Sequence, residues 1–116
     1  MRAGGSFPAG GVATTINLRD GAPAAAVLGT ATAVVPGPQP VGEQVVIQFH
    51  FTPPIPVAAG GTYLIEWLSP APAGVPAGTI LTWMGREDDP YPGGNAFGCT
   101  RIAVPENDLN FVTYTD

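Results

Sequence analysis

The sequence of 116 residues predicts an all-β fold, an antiparallel sandwich or barrel of six to eight short strands with no long helix. Several segments alternate apolar and polar residues with a period of two, which is typical of half-buried strands. Sixteen glycines and fourteen prolines interrupt these segments at short intervals, as turns do in β-proteins. No segment combines a 3.6-residue period with helix caps.

The first third of the chain contains a predicted arm and two predicted strands. Residues 1–11 are rich in glycine and alanine, so we expect a flexible arm before a sandwich domain of residues 12–116. Val12–Leu18 alternates, with Val12, Thr14, Ile16 and Leu18 on one face, and a turn follows at Arg19-Asp20-Gly21. In the apolar strand Ala24–Val35, Gly29 indicates a bulge.

Val45–Phe51 is the clearest predicted strand, and the TPPIP sequence of residues 52–56 ends it. The expected faces are Val45, Ile47, Phe49 and Phe51 on one side, and Val46, Gln48 and His50 on the other.

Four further strands are predicted in the second half, at Thr62–Leu68, Ile80–Met84, Phe97–Val104 and Leu109–Tyr114, with a Gly-Gly turn before the first. Several strands carry apolar residues on both faces, whereas a sandwich strand normally has one polar face. This favours contact with a partner or with copies of the chain.

Composition excludes several classes of function. The net charge is −5, and the chain contains no lysine, so phosphate backbones and anionic membranes are repelled. No apolar run approaches the roughly 20 residues that span a membrane. The N-terminus lacks the apolar stretch of a signal peptide, and the single cysteine, Cys99, allows no intrachain disulfide.

The segment Arg86–Asn95, REDDPYPGGN, collects unusual chemistry for so weakly charged a chain. Three adjacent carboxylates precede a tyrosine between two prolines and a Gly-Gly-Asn turn. We call residues 87–95 the acidic loop.

Several short motifs resemble those of small jelly-roll modules in bacterial and archaeal surface proteins and secreted enzymes. They are the AAGGTYLIEW strand entry, the DDPYPGGN loop and the terminal DLNFVTYT. The resemblance covers about Thr14–Thr115 and implies a jelly-roll β-sandwich on a cell or particle surface. It also implies a non-catalytic role, often carbohydrate binding or anchoring. Viral decoration and fibre proteins use similar sandwiches.

One departure from that pattern concerns the start of the fold. Such modules usually have another strand before the segment equivalent to Val12–Leu18, where this chain has only its arm. We therefore expect an open sheet edge, filled by the arm or by a neighbouring subunit.

Catalytic residues are scarce. His50 and Cys99 are the single residues of their types, Ser6 and Ser69 are the two serines, and no nucleophile or phosphate-loop motif is present. One histidine and one cysteine nearly exclude zinc. A glycosidase pairing Glu66 with Asp88 or Asp89 is the remaining enzymatic alternative.

Calcium is the metal that the acidic loop suits, because it prefers carboxylate and carbonyl oxygens in loops. The expected ligands are Glu87, Asp88, Asp89, Asn95 and Asp108, with Glu106 as an alternative for the last. The competing interpretation is a solvated turn without a cofactor, partly paired with Arg86 or Arg101.

Carbohydrate is the ligand that the same loop suits. Among Tyr63, Trp67, Trp83 and Tyr91, the last two lie in or near the loop and are expected to stack on sugar rings, with Asp88, Asp89 and Asn95 as hydrogen-bonding groups. Alternatively, both tryptophans belong to the core. The leading hypothesis is therefore an extracellular binding module, and the second is a structural subunit of a filament, virion or surface layer.

Overall fold

The computed structural model describes residues 2–4, 10–37, 44–68, 80–82, 85–86, 96–97, 103–104, 108–109 and 113–114, with side chains described in 10–37, 44–68 and 113–114. Every regular element in these ranges is a strand, and none of them contains a helix. The all-β prediction is confirmed for this part of the chain. The chain divides into two compact units, Met1–Leu81 and Thr82–Asp116, which are treated separately below.

The first unit contains a three-stranded antiparallel sheet in the order β3-β2-β4. A short N-terminal strand, β1, pairs with β5 in a separate two-stranded sheet. The strands are β1 (Arg2–Gly4), β2 (Val12–Arg19), β3 (Val27–Val35), β4 (Leu64–Leu68) and β5 (Ile80–Thr82).

Strand β2 lies at the centre of the three-stranded sheet. Its register with β3 begins at Val12 opposite Val35, and its register with β4 begins at Thr15 opposite Leu68. The predicted strands Val12–Leu18, Ala24–Val35 and Thr62–Leu68 are thus confirmed, with shorter bounds for the last two.

One face of this sheet forms the described core. Alternate residues of β2 point to the same face, and the predicted face is confirmed because Val12, Thr14 and Ile16 are all buried. Ala31 and Val35 of β3 complete it from the neighbouring strand. The core is therefore built from small and β-branched side chains, which suit a pleated surface.

The predicted bulge at Gly29 is confirmed. Leu18 pairs with Gly29 but Arg19 pairs with Val27, so Leu28 is the extra residue on β3. A Cβ atom at Gly29 would lie 2.3 Å from Cδ1 of Ile55. Glycine at this position therefore lets the proline-rich segment after Phe51 pack directly against β3.

Both predicted turns of the first unit are confirmed. Gly21 and Gly60 have φ angles of 76°, in the left-handed region that glycine adopts without steric cost. The amide of Gly61 donates to the carbonyl of Ala58, and the amide of Asp20 donates to the carbonyl of Ala26.

The prediction of a strand at Val45–Phe51 is wrong, although the predicted alternation is correct. Val45, Ile47, Phe49 and Phe51 are half-buried, while Val46, Gln48 and His50 are exposed. Yet residues 45–51 form no strand, and the neighbouring Gln44 makes an isolated bridge. Alternation indicates which side chains meet an apolar surface, but it does not provide a neighbouring strand for the backbone.

The second unit contains two short antiparallel pairs. β6 (Gly85–Arg86) pairs with β9 (Asp108–Leu109), and β7 (Ala96–Phe97) pairs with β8 (Ala103–Val104). The single strand predicted at Phe97–Val104 is therefore wrong, since its two ends face each other in different strands. A run with weak alternation suits a hairpin as well as a strand.

The described residues form nine strands instead of the predicted six to eight, partly because of this division. Ile80–Met84 is confirmed as far as Thr82. From Leu109–Tyr114, only Leu109 lies in a described strand, and residues 113–114 are not in one. The division into an arm (1–11) and one sandwich domain (12–116) stays a prediction, as does the sandwich arrangement.

Replacing Gly29 with alanine tests the packing of Ile55 on β3. The new methyl group would meet both Cδ1 and Cγ1 of Ile55, so we expect a loss of about 1–3 kcal/mol in unfolding free energy. Urea denaturation measures this loss.

The double variant Gly29→Ala/Ile55→Val should recover part of the loss, because the valine lacks the Cδ1 methyl group. Equal stability of the Gly29→Ala variant and the original chain would contradict the packing.

Candidate functional site

Most residues of the predicted ligand and metal site lie outside the described residues. These are Trp83 and the acidic-loop residues Glu87, Asp88, Asp89, Tyr91 and Asn95, as well as the alternative ligand Glu106. Asp108 lies in β9, where the backbone is described. The site assignment therefore stays a prediction.

The backbone places Asp108 at one end of the acidic loop. In the β6–β9 pair, Asp108 is directly opposite Arg86, and Arg86 immediately precedes Glu87 in the sequence. β7 then begins at Ala96, immediately after Asn95. The acidic loop thus connects β6 to β7 in the sequence, and Asp108, the last proposed calcium ligand, is opposite the residue that precedes the loop.

Two aromatic residues from the wider set have structural partners. The indole Nε1 of Trp67 donates a hydrogen bond to Oγ1 of the buried Thr14 on the core side of the sheet. The phenol oxygen of Tyr63 accepts a 2.7 Å hydrogen bond from the amide of Ala58. Trp67 therefore ties β4 to β2, and Tyr63 closes the turn around Gly60.

A row of polar side chains crosses the other face of the three-stranded sheet. We call Thr30, Asn17, Glu66 and Arg19 the polar row. Thr30 Oγ1 donates to Asn17 Oδ1 at 2.7 Å, and Asn17 Nδ2 donates to Glu66 Oε1 at 2.8 Å. Thr30 and Glu66 are both in register with Asn17, so one line of contacts joins all three strands.

Arg19 completes the polar row from the end of β2. Its Nη2 lies 3.0 Å from Glu66 Oε1 in an ion pair, and its Nη1 donates to the carbonyl oxygen of Ala25 at 2.7 Å. The Nε atom of Arg19 is buried and has no hydrogen-bond partner among the described residues. Arg19 therefore fixes both Glu66 and the turn between β2 and β3.

The hydrogen bonds of the polar row stabilise the sheet and were not predicted from the sequence. The alternation of β2 placed Thr15, Asn17 and Arg19 together on the face opposite Val12, which was the available signal. The partners lie 13 to 49 residues away in the chain, so only the strand register identifies them. The row engages the carboxylate of Glu66, the residue considered for a glycosidase pair.

A half-open cavity of about 190 Å³ lies where Gly29 meets the proline-rich segment. Its wall consists of residues 28–30 and 51–56. The lining residues are mainly aliphatic residues, prolines and a phenylalanine, and Thr30 and Thr52 are the two polar residues among them. It shares no residue with the predicted site.

His50 and Cys99 are the remaining residues that were considered for catalysis or metal binding. His50 is exposed, as expected for a surface residue, and Cys99 lies outside the described residues. Within the described ranges, histidine, cysteine and acidic residues form no group of three that would hold a metal ion. The same ranges contain no helix with the length and hydropathy of a membrane span.

Comparison with known proteins gives no match: no protein-family model, no curated protein and no solved structure matches the chain.

The Glu66→Gln variant tests whether the polar row stabilises the sheet. Glutamine retains an acceptor for Asn17 but loses the ion pair with Arg19, whose charge then lies partly buried without its partner. We expect a loss of about 1–3 kcal/mol in unfolding free energy, measured by urea denaturation.

Asp20→Asn is the matched control, because Asp20 is an exposed carboxylate in the adjacent turn. Equal effects of the two substitutions would show that the polar row adds nothing to stability.

Proposed function

We propose that the chain is a non-catalytic extracellular β-sandwich module that binds carbohydrate through Trp83, Tyr91, Asp88, Asp89 and Asn95. The observation that carries the proposal is the concentration of three carboxylates and a proline-flanked tyrosine in one loop of a chain with few charges. The register of β6 and β9 supports it, since it adds Asp108 to the start of that loop.

The proposed binding chemistry uses the two aspects of a sugar ring. The apolar face of a pyranose stacks on an aromatic ring, while carboxylate and amide groups hydrogen-bond to its hydroxyls. Trp67 and Tyr63 already serve the sheet and the Gly60 turn. Trp83 and Tyr91 are therefore the aromatic residues to which the proposal assigns stacking.

The negative charge of the chain limits the class of sugar that is expected to bind. The chain has a net charge of −5, and three adjacent carboxylates lie in the acidic loop. Anionic sugars would be repelled by this loop. The proposal therefore specifies a neutral glycan.

A glycan array tests this function directly. The original chain should bind neutral glycans, and Tyr91→Ala should weaken binding about 5- to 150-fold, because stacking on an aromatic ring contributes on the order of 1–3 kcal/mol in the comparable case of nucleic-acid bases. Tyr114→Ala is the matched control, since Tyr114 is 86% exposed and lies outside the acidic loop.

Two results would contradict the carbohydrate proposal. One is the absence of binding across a broad array. The other is an equal loss of binding in the Tyr91 and Tyr114 variants.

We further propose calcium as a ligand of the acidic loop, held by Glu87, Asp88, Asp89, Asn95 and Asp108. The β6–β9 register favours the inclusion of Asp108, because Asp108 is opposite Arg86, the residue that precedes Glu87 in the sequence. Calcium would neutralise the mutual repulsion of these groups.

Thermal unfolding with and without EDTA tests the calcium proposal. Millimolar calcium should raise the melting temperature by several degrees, because a ligand that binds the folded state stabilises it. Asp88→Asn/Asp89→Asn should abolish the rise, and Asp20→Asn should preserve it. A melting temperature that is the same in calcium and in EDTA would remove calcium from the account.

The alternative function is a structural subunit of a filament, virion decoration or surface layer. Exposed apolar residues on the face that carries the polar row favour it: Val34 is 61% exposed, and Val27 and Leu68 are each 43% exposed. The pairing of β1 with β5 also favours it, because an N-terminal segment that pairs as a strand can pair between copies. Light scattering tests this alternative, since a structural subunit would form an assembly larger than a dimer, and a chain that stays a monomer or a dimer would contradict it.

A further inference from the structure

The segment Val45–Phe51 has the side-chain alternation of a strand, but the structure describes no strand there. Its side chains alternate between half-buried and exposed along the whole segment. Among the described residues, the backbone groups of Val46, Gln48 and His50 make no hydrogen bond. An extended backbone in this condition is ready to accept a neighbouring strand.

This segment also lacks the charges that usually prevent such pairing. Natural edge strands carry lysine or other charged side chains that block association with another edge. Here residues 44–65 contain no charged side chain, although the whole chain has a net charge of −5. Val46 is 88% exposed at the same place.

We propose that Val45–Phe51 pairs with the same segment of a second copy of this chain, antiparallel and centred on Gln48. In this register Gln48 is opposite Gln48 of the second copy, Val46 is opposite His50, and Ile47 is opposite Phe49. In this register odd-numbered residues are opposite odd-numbered residues of the second copy. The half-buried side chains of both copies therefore lie on one side of the joined pair.

This register forms hydrogen bonds with the backbone groups of Val46, Gln48 and His50. Antiparallel pairs alternate between hydrogen-bonded and non-hydrogen-bonded positions, so Val46, Gln48 and His50 together exchange about six hydrogen bonds across the two-fold axis. In this register the backbone groups of Val45 would point away from the second copy.

The absence of charge on this segment permits the occupant to be a second copy, and the two-fold register makes the segment complementary to itself. Two copies with net charge −5 repel each other over most of their surfaces. A segment of 22 uncharged residues is where two such chains approach with the least repulsion. The two-fold contact is also isologous, so it closes as a dimer without growing further. The proposal stands independently of carbohydrate binding and supplies an interface for the assembly alternative.

A charge-swap experiment on the full chain tests this register. Sedimentation velocity over a concentration series should give a dimer of the 11.8 kDa chain. Gln48→Lys and Gln48→Glu should each give a monomer, because like charges would be directly opposite each other. An equimolar mixture of the two variants should restore the dimer. Gln48 is exposed, so neither substitution disturbs packing, and circular dichroism checks that both variants fold.

Ala24→Lys is the control, because it adds the same charge at an exposed turn position outside residues 44–65 and should leave the dimer intact. A monomer at every concentration would overturn the proposal. A dimer that survives Gln48→Lys would also overturn it, since its interface would lie elsewhere. Failure of the mixture to associate would overturn the proposed register. Glycan binding by a monomeric chain would leave the carbohydrate proposal standing while this one fell.

Discussion

The antiparallel pairing of β2 with both β3 and β4 is the constraint on which the described first unit depends. β2 contributes Val12, Thr14 and Ile16 to the core and Asn17 and Arg19 to the opposite face. Without β2, neither neighbouring strand would have a partner within the described sheet. A slip of one residue would exchange the two faces, placing Asn17 in the core and Ile16 outside.

The polar row and the core oppose that slip from opposite sides of the sheet. Asn17 is almost fully buried and satisfies its amide through Thr30 and Glu66 at one register. Burying it without these partners would cost on the order of 1–3 kcal/mol. On the core side, the hydrogen bond from Trp67 to Thr14 joins the same strands. Both faces of the sheet therefore specify one alignment.

Local patterns predicted the elements of the first unit well and their long-range partners poorly. The faces of β2, the bulge at Gly29 and the glycine turns follow from periodicity and backbone preference within a few residues. The pairing of Asn17 with Glu66 joins residues 49 positions apart, and no local pattern contains that information. The strand prediction at Val45–Phe51 was wrong for the same reason, since alternation is local and a ladder is not. The candidate site in the acidic loop was predicted from residue chemistry alone and stays a prediction, to which the described backbone adds that Asp108 is opposite Arg86.

The proposed functions draw on different parts of this framework. The proposed carbohydrate and calcium binding would use the loop between β6 and β7 of the second unit. Assembly uses apolar or unpaired surfaces of the first unit, where the lack of charge leaves an edge accessible.

Amide hydrogen exchange, read residue by residue, tests the central role of β2 most directly. Strands hydrogen-bonded on both sides exchange only through large unfolding events. The account predicts that Val12–Arg19 contains the slowest amides of the first unit and that the amides of residues 46–50 exchange far faster in the monomeric Gln48→Lys variant. Equal exchange rates in these two segments would contradict the placement of β2 at the centre of the sheet.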